Sequence, residues 1–346
     1  MSALVVLAAG PSSTVQDRGR LGYQRYGVAV AGAFDPLALA AANALVGNQP
    51  EVGAVEFTLA GDRYEVAAEA VRIAVAGDFA VAIDGAPAAP WRSHRLAHGQ
   101  VLAIGAASRG ARGYLAVEGG FAVPQVLGSV ATHVRSRIGG LDGGPLKAGG
   151  RLPLARDAAE ARAERALDPA LLPARGLEIR VVLGPQHDQF APQALATFLG
   201  SDYEVTAEAD RMGLRLSGPR IEHLKGHNIV SDGIPLGAIQ VPGTGQPIAL
   251  MVDHQTAGGY PKIAVVIAPD VAALAQVRPG AKLRFRAVDA AEARAAALAF
   301  NAAIADLPRL VGAVPDPMAL DSGHLLALNL IDGVVDGMAA MSAGPD

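Results

Sequence analysis

Short runs of branched aliphatic residues, each closed by glycine or proline, set the limits on what this chain can fold into. Val71-Arg72-Ile73-Ala74-Val75-Ala76, Val101-Leu102-Ala103-Ile104, Ile179-Arg180-Val181-Val182-Leu183 and Ile263-Ala264-Val265-Val266-Ile267 are the clearest. Runs of this length between breakers are strand signals, and they are too short for ordinary helices. The 41 glycines and 23 prolines among 346 residues leave few stretches in which a helix could extend. The sequence therefore predicts a mainly β protein with a few helices, a β-rich α+β fold. Asp84-Gly85 lies between two strand-like segments and predicts a hairpin turn.

The helical signals are few and well capped. Asp35 suits an N-cap, Pro36 the first helical turn and Gly47 the exit, with Leu37, Ala40, Ala41, Ala44 and Leu45 forming one apolar stripe. Further helices are predicted over Gln189 to Leu199, after Pro269-Asp270, and from Asp289, where Glu292 stands at capping-box spacing. The charged, alanine-rich and then proline-punctuated stretch Asp157 to Arg175 reads as a linker between two β-rich halves. The division expected is residues 1–156, a linker over 157–176, residues 177–304 with a terminal helix, and an extension over 305–346. Each half runs a strand into Gly-Pro, at Gly10-Pro11 and Gly184-Pro185, as an old duplication would leave. Leu325 to Ile331 is apolar and is expected to strap over its own domain or to meet a partner.

Composition removes several function classes. There are no cysteines, so disulfides, thiolate nucleophiles and Cys-based metal sites are excluded. A net charge of −4 gives no electrostatic drive toward nucleic acid or anionic membrane. The longest uncharged stretch, Gly233 to Val252, holds three prolines and is unsuited to a membrane helix. The N-terminus lacks the basic flank of a signal peptide, so a cytoplasmic protein is expected. No Walker-type loop and no nucleophile elbow is present. The i,i+4 pairs His94/His98 and His223/His227 are interrupted by Gly99 and Gly226, so no metal site is expected from them.

Chemistry concentrates in two glycine-punctuated loops. The first, Gly10 to Arg25, carries Gln16, Asp17, Arg18, Arg20 and Tyr23. Guanidinium forks match carboxylate or phosphate oxygens, and glycine lets backbone approach a ligand closely. The second lies in the other half: Gly237-Ala238-Ile239-Gln240-Val241-Pro242, then Gly245-Gln246-Pro247, then Asp253-His254-Gln255-Thr256-Ala257-Gly258-Gly259-Tyr260. Asp210-Arg211-Met212-Gly213 precedes it. Polar loops on a rigid β scaffold are where sites sit. The Gln16–Tyr23 and Asp253–Tyr260 loops are each expected to line an open polar cleft.

With Gly27 to Asp35, Ala42-Asn43-Ala44-Leu45-Val46-Gly47-Asn48 and Glu56 following the first loop, these blocks resemble the signatures of the biotin-dependent carboxyltransferase (allophanate hydrolase subunit 2) family over residues 4 to 300. Two positions depart from the pattern. Val130-Ala131-Thr132 stands in place of Arg-Ser-Thr, and Gly149-Gly150 in place of Gly-Asp. The resemblance implies two cyclophilin-like β-barrel domains in tandem. It implies one component of a prokaryotic ATP-dependent 5-oxoprolinase, the C component, working with a KipI-like B component and a LamB/YcsF-like A component. The alternatives are the carboxyltransferase component of a urea carboxylase-like enzyme, or a non-enzymatic antagonist of a KipI-like protein. ATP and Mg would act through the complex, and biotin would arrive on another protein, since none of the four lysines has a biotin-carrier context. Asp17, Arg18, Arg20, Arg211 and Asp253 are the catalytic candidates. Gln16, Tyr23, Asn43, Asn48, Gln240, Gln246, Gln255, Thr256 and Tyr260 are candidates for binding a small amide substrate.

Overall fold

The computed structural model describes residues 2–314. The expected β-rich fold with few helices is found: among the described residues short strands predominate, with four α-helices, α1 (Pro36–Val46), α2 (Pro192–Gly200), α3 (Ala268–Leu274) and α4 (Ala290–Leu310). The four strand-like runs form the strands Ala70–Ala76, Val101–Ala107, Glu178–Leu183 and Lys262–Val266. Asp84 and Gly85 turn a hairpin with φ values of 50° and 81°, both in the left-handed region that such a tight turn needs. The apolar Leu325–Ile331 segment lies outside the described residues.

The N-terminal half is built from two antiparallel sheets. One has six strands, in the order Arg151–Pro153, Ala3–Ala8, Arg63–Ala67, Val101–Ala107, Phe79–Ile83, Ala86–Ala88. The other has five, in the order Ser13–Gln16, Ala54–Thr58, Arg112–Val117, Ala70–Ala76, Ser93–Ala97. Strand periodicity sorts the five-stranded sheet into two faces. Val71, Ile73, Val75, Val55, Phe57, Leu115 and Val117 fill the core between the sheets. Ala54, Ala74, Ala76 and Ala116 form the opposite face, where small side chains let α1 lie close. That is why Ala70–Ala76 and Arg112–Val117 are buried along their whole length.

The C-terminal half is a closed seven-stranded barrel, in the order Glu178–Leu183, Lys262–Val266, Ala238–Gln240, Ile248–Leu250, Gly213–Ser217, Asp202–Val205, Lys282–Ala287. Parallel pairing of Glu178–Leu183 with Lys282–Ala287 closes it. α2 begins at Pro192 rather than Gln189, because His187–Gln189 forms a separate 3-10 turn and proline is suited to the first helical turn. Its Phe198 stacks on Phe285 at 4.7 Å inside the barrel. α4 starts behind its Asp289 cap as expected, then crosses to the first half, where Leu307 is buried against α1.

Candidate active site at the seam between the halves

Asp35 does what its position in the sequence predicts: its Oδ1 accepts the Ala38 backbone N–H at 3.1 Å and starts α1. The residue before it does something no local signal announces. Phe34 leaves the first half and is fully buried in the core of the second-half barrel. Arg112 lies over its ring at 3.8 Å, and Arg211 is 5.6 Å from it. Such stacking favours a cation over the electron-rich ring face.

Around Phe34 runs a charged seam. Arg211, from the second half, grips its neighbour Asp253 through Nε (2.9 Å) and Nη2 (3.1 Å). It then reaches across to Glu56 with Nη1 and to the Gly32 carbonyl with Nη2 at 2.7 Å. The other oxygen of Glu56 accepts the Phe34 N–H at 2.8 Å and the Tyr114 hydroxyl at 2.6 Å. Burial opposes the charge on Arg211, but Glu56 and Asp253 outweigh it, so the guanidinium holds its proton more firmly than usual. Burial, then Glu56 and Asp35, push the Tyr114 phenol well above its ordinary range. All of Arg211's side-chain nitrogens are spent on protein acceptors, which is the bonding of a strut.

The first loop packs against this seam. Asp17 accepts the Gly19 N–H (2.8 Å), the Ser129 hydroxyl (2.6 Å) and the Val130 N–H (2.8 Å). Arg20 is 1 % exposed and donates to the carbonyls of Val126 (3.1 Å) and Ala131. Burial lowers its pKa, opposed by Asp17 and by Asp253 of the other half. Its Nη1 has no protein partner, nor has the buried Gln16 Oε1 or the His133 Nε2. Buried unpaired polar atoms are rare and mark places where a ligand or water completes the bonding. Gly19 and Gly32, with φ values of 88° and 86°, let the two loop backbones touch. A Cβ on Gly32 would stand 2.7 Å from the Gly19 nitrogen.

From Asp253 the second loop continues to the barrel rim. His254 is buried, and its Nδ1 lies 2.6 Å from the Gln255 carbonyl, which fixes the proton there. Burial lowers its pKa and keeps the ring neutral. Gln255 and Tyr260 are exposed and Thr256 half-buried. Gln240, buried, points its Nε2 to the Tyr260 carbonyl at 3.5 Å. Across the strand from Gln240 stands Lys262, 1 % exposed, whose ammonium bonds the half-exposed Asp232 at 2.8 Å. Gln186 joins them through the Lys262 N–H (3.2 Å) and Asp232 (3.3 Å). Lys262, Glu56 and His254 are not among the candidates that the sequence singles out. For Lys262 a signal exists: it is one of four lysines in the chain, and it opens the strand that leaves the second glycine loop.

The structure thus gathers Asp17, Arg20, Arg211 and Asp253 at the seam and Gln240, Gln255, Thr256 and Tyr260 at the adjoining rim. Arg18 is exposed and Tyr23 half-buried on the outer side of the first loop. The other candidates stand apart. Asn43 donates to the Val52 carbonyl (2.7 Å), and Asn48 clamps Asn43 (3.0 Å) and the Val117 carbonyl (2.8 Å) behind α1. Gln246 bridges the backbone of Gly218 at 2.9 and 3.1 Å. Of the side chains expected to line an open cleft, some are buried and some exposed. Gln16, Arg20 and His254 turn inward, because buried backbone carbonyls nearby need donors, while Arg18, Gln255 and Tyr260 face solvent. Among the described residues no group of three or more His, Asp or Glu side chains is placed to hold a metal ion. No helix there is long and apolar enough to cross a membrane.

Residues 26–287 match the family described as carboxyltransferase domain, subdomain A and B. The chain is 38 % identical over 289 residues to the C subunit of 5-oxoprolinase from Haemophilus influenzae, covering 83 % of this chain and 92 % of that protein. It is 38 % identical over 286 residues to the C subunit of 5-oxoprolinase from Escherichia coli, covering 82 % and 90 %. In fold it resembles the crystal structure of the Kluyveromyces lactis urea carboxylase, with a TM-score of 0.81 at 29 % identity. That likeness covers 88 % of this chain but only 29 % of the yeast protein.

Proposed function

The chain belongs to the carboxyltransferase domain family of subdomains A and B, and from that premise we propose that it is the C component of an ATP-dependent 5-oxoprolinase. In that role it acts with a KipI-like B component and a LamB/YcsF-like A component in the cytoplasm to open 5-oxo-L-proline to L-glutamate. The observation that carries the reading is the 38 % identity to two 5-oxoprolinase C subunits over at least nine-tenths of their lengths.

The site suits the chemistry. A lactam carbonyl is a weak electrophile until its oxygen is polarised, and a barrier is lowered by donors fixed in advance where negative charge develops. The free Nη1 of Arg20 and the ammonium of Lys262 are such donors in a region poor in water. Arg18, exposed at the entrance, meets the substrate carboxylate. Gln240, Gln255, Thr256 and Tyr260 orient the ring by hydrogen bonds, with Gln16 and Tyr23 on the opposing loop. Asp17 and Asp253 favour the charge on Arg20 through space, Asp232 holds Lys262, and neutral His254 beside Asp253 keeps an imidazole lone pair available for proton transfer. Arg211 holds the two walls together. ATP and its Mg act through the assembled complex, and biotin is not attached to this chain.

The fold likeness to the K. lactis urea carboxylase supports a second reading, a carboxyltransferase passing CO2 from a biotin carried on another protein. One assay separates them. Mixed with its A and B partners, the chain is expected to give glutamate only when both 5-oxoproline and ATP are present, and none when alone. Decarboxylation of carboxybiotin without glutamate formation would favour the carboxyltransferase.

A further inference from the structure

A cavity of about 910 Å3 opens between the two halves, and none of its lining comes from the Gln16–Tyr23 or Asp253–Tyr260 loops. Its volume lies in the range of small-molecule sites. The first half contributes Trp91, Arg109 and Arg112, the linker contributes Leu172 to Gly176, and the second half contributes Leu177 and Gln276 to Arg278.

Four arginines line it, at 109, 112, 175 and 278, against two acids, Asp78 and Asp168, and Arg175 is paired with the buried Asp35. Asp78 is taken up by Arg109 and by the Trp91 Nε1, each at 3.1 Å. Arg112 and Arg278 spend donors on neutral carbonyls, those of Ala275 (2.6 Å) and Ala107 (2.9 Å) respectively. The Arg112 Nε is buried without a hydrogen-bond partner, and Glu56 is 3.9 Å away. Positive charge between low-dielectric walls concentrates its field on the enclosed space. Guanidinium groups with spare donors select carboxylate or phosphate oxygens. The apolar part of the wall includes Trp91, Leu172, Leu177 and Val277. Trp91 is held at a φ of 58° by backbone bonds to Val75 (2.8 Å) and Leu167 (2.9 Å). A bulky residue kept in that region signals a side chain whose direction matters.

We propose that this cavity binds a small organic anion, with its carboxylate or phosphate at Arg109 and Arg112 and its apolar body against Trp91 and Leu177. The proposal is independent of the activity assigned to the seam.

Trp91 is the chain's only tryptophan, so its emission reports on this cavity alone. The full chain is titrated with benzoate, with phenylphosphate, and with inorganic phosphate as the control lacking an apolar body. At least one organic probe is expected to give a saturable change in emission at a Kd on the order of 1 mM or tighter, and inorganic phosphate a weaker one. The stronger organic probe identifies the anion class. Arg109→Glu, at a side chain 81 % exposed, is expected to weaken binding about tenfold with an unchanged melting curve. No saturable response to either organic probe, or a midpoint that Arg109→Glu leaves unmoved, would overturn the proposal.

Discussion

Replacing Arg211 by leucine is expected to destabilise the protein by about 3–5 kcal/mol, the usual cost of leaving buried charges without their counter-ion. Glu56 is 2 % exposed and Asp253 8 %, and Arg211 is the cation both of them touch. Arg112 stays 3.9 Å from Glu56 and is too far for a hydrogen bond. Equilibrium urea unfolding of the full chain measures the loss. Adding Glu56→Gln to the leucine variant is expected to recover part of it. A glutamine oxygen can still accept from the Phe34 N–H and Tyr114 hydroxyl, and one unpaired charge is gone. A loss below about 1 kcal/mol, the range of solvent-exposed pairs, would mean that water reaches the seam and that it does not fasten the halves.

That experiment also marks the boundary of what the sequence reveals. The cap at Asp35, the exit at Gly47, the cap at Asp289 and the Asp84-Gly85 turn depend on a few neighbouring residues, and each stands where the local pattern puts it. The strand runs are legible for the same reason. Barrel closure is not, since Glu178–Leu183 must find Lys282–Ala287 about a hundred residues on. Nor is the fate of Phe34, which looks like the last residue before a helix and becomes part of the other half's core. Glycine-rich loops point to the neighbourhood of a site through their composition. They do not say which polar atoms are left over once the backbone has been satisfied. Asn43, Asn48 and Gln246 look like ligand-binding residues in the sequence; in the structure the two asparagines bond to backbone and to each other, and Gln246 bonds to the Gly218 backbone. Lys262 looks like one more strand residue and proves to be a buried amine at the rim.

Lys262→Met should separate stability from function more cleanly than any other substitution. Methionine matches the length of the lysine stem and removes a charge that is 1 % exposed, so stability is expected to hold or rise, as when buried ion pairs are replaced by apolar groups. Its partner Asp232 is half-exposed and can return to water. Turnover of 5-oxoproline in the reconstituted complex is expected to fall about 10²-fold, the scale of losing one donor aimed at developing charge. The fall belongs in kcat, because such a donor strengthens its bond as the oxygen gains charge. Near-normal kcat with unchanged stability would reduce Lys262 to a structural anchor for Asp232.

In the proposed enzyme the two glycine loops form one substrate site across the seam. Hydrogen–deuterium exchange on the assembled complex, with and without 5-oxoproline, measures this at the backbone itself. Slower exchange is expected on substrate addition in residues 16–23 and 253–260 together, with linker residues 168–176 unaffected. Protection confined to the linker, or to one loop without the other, would contradict it.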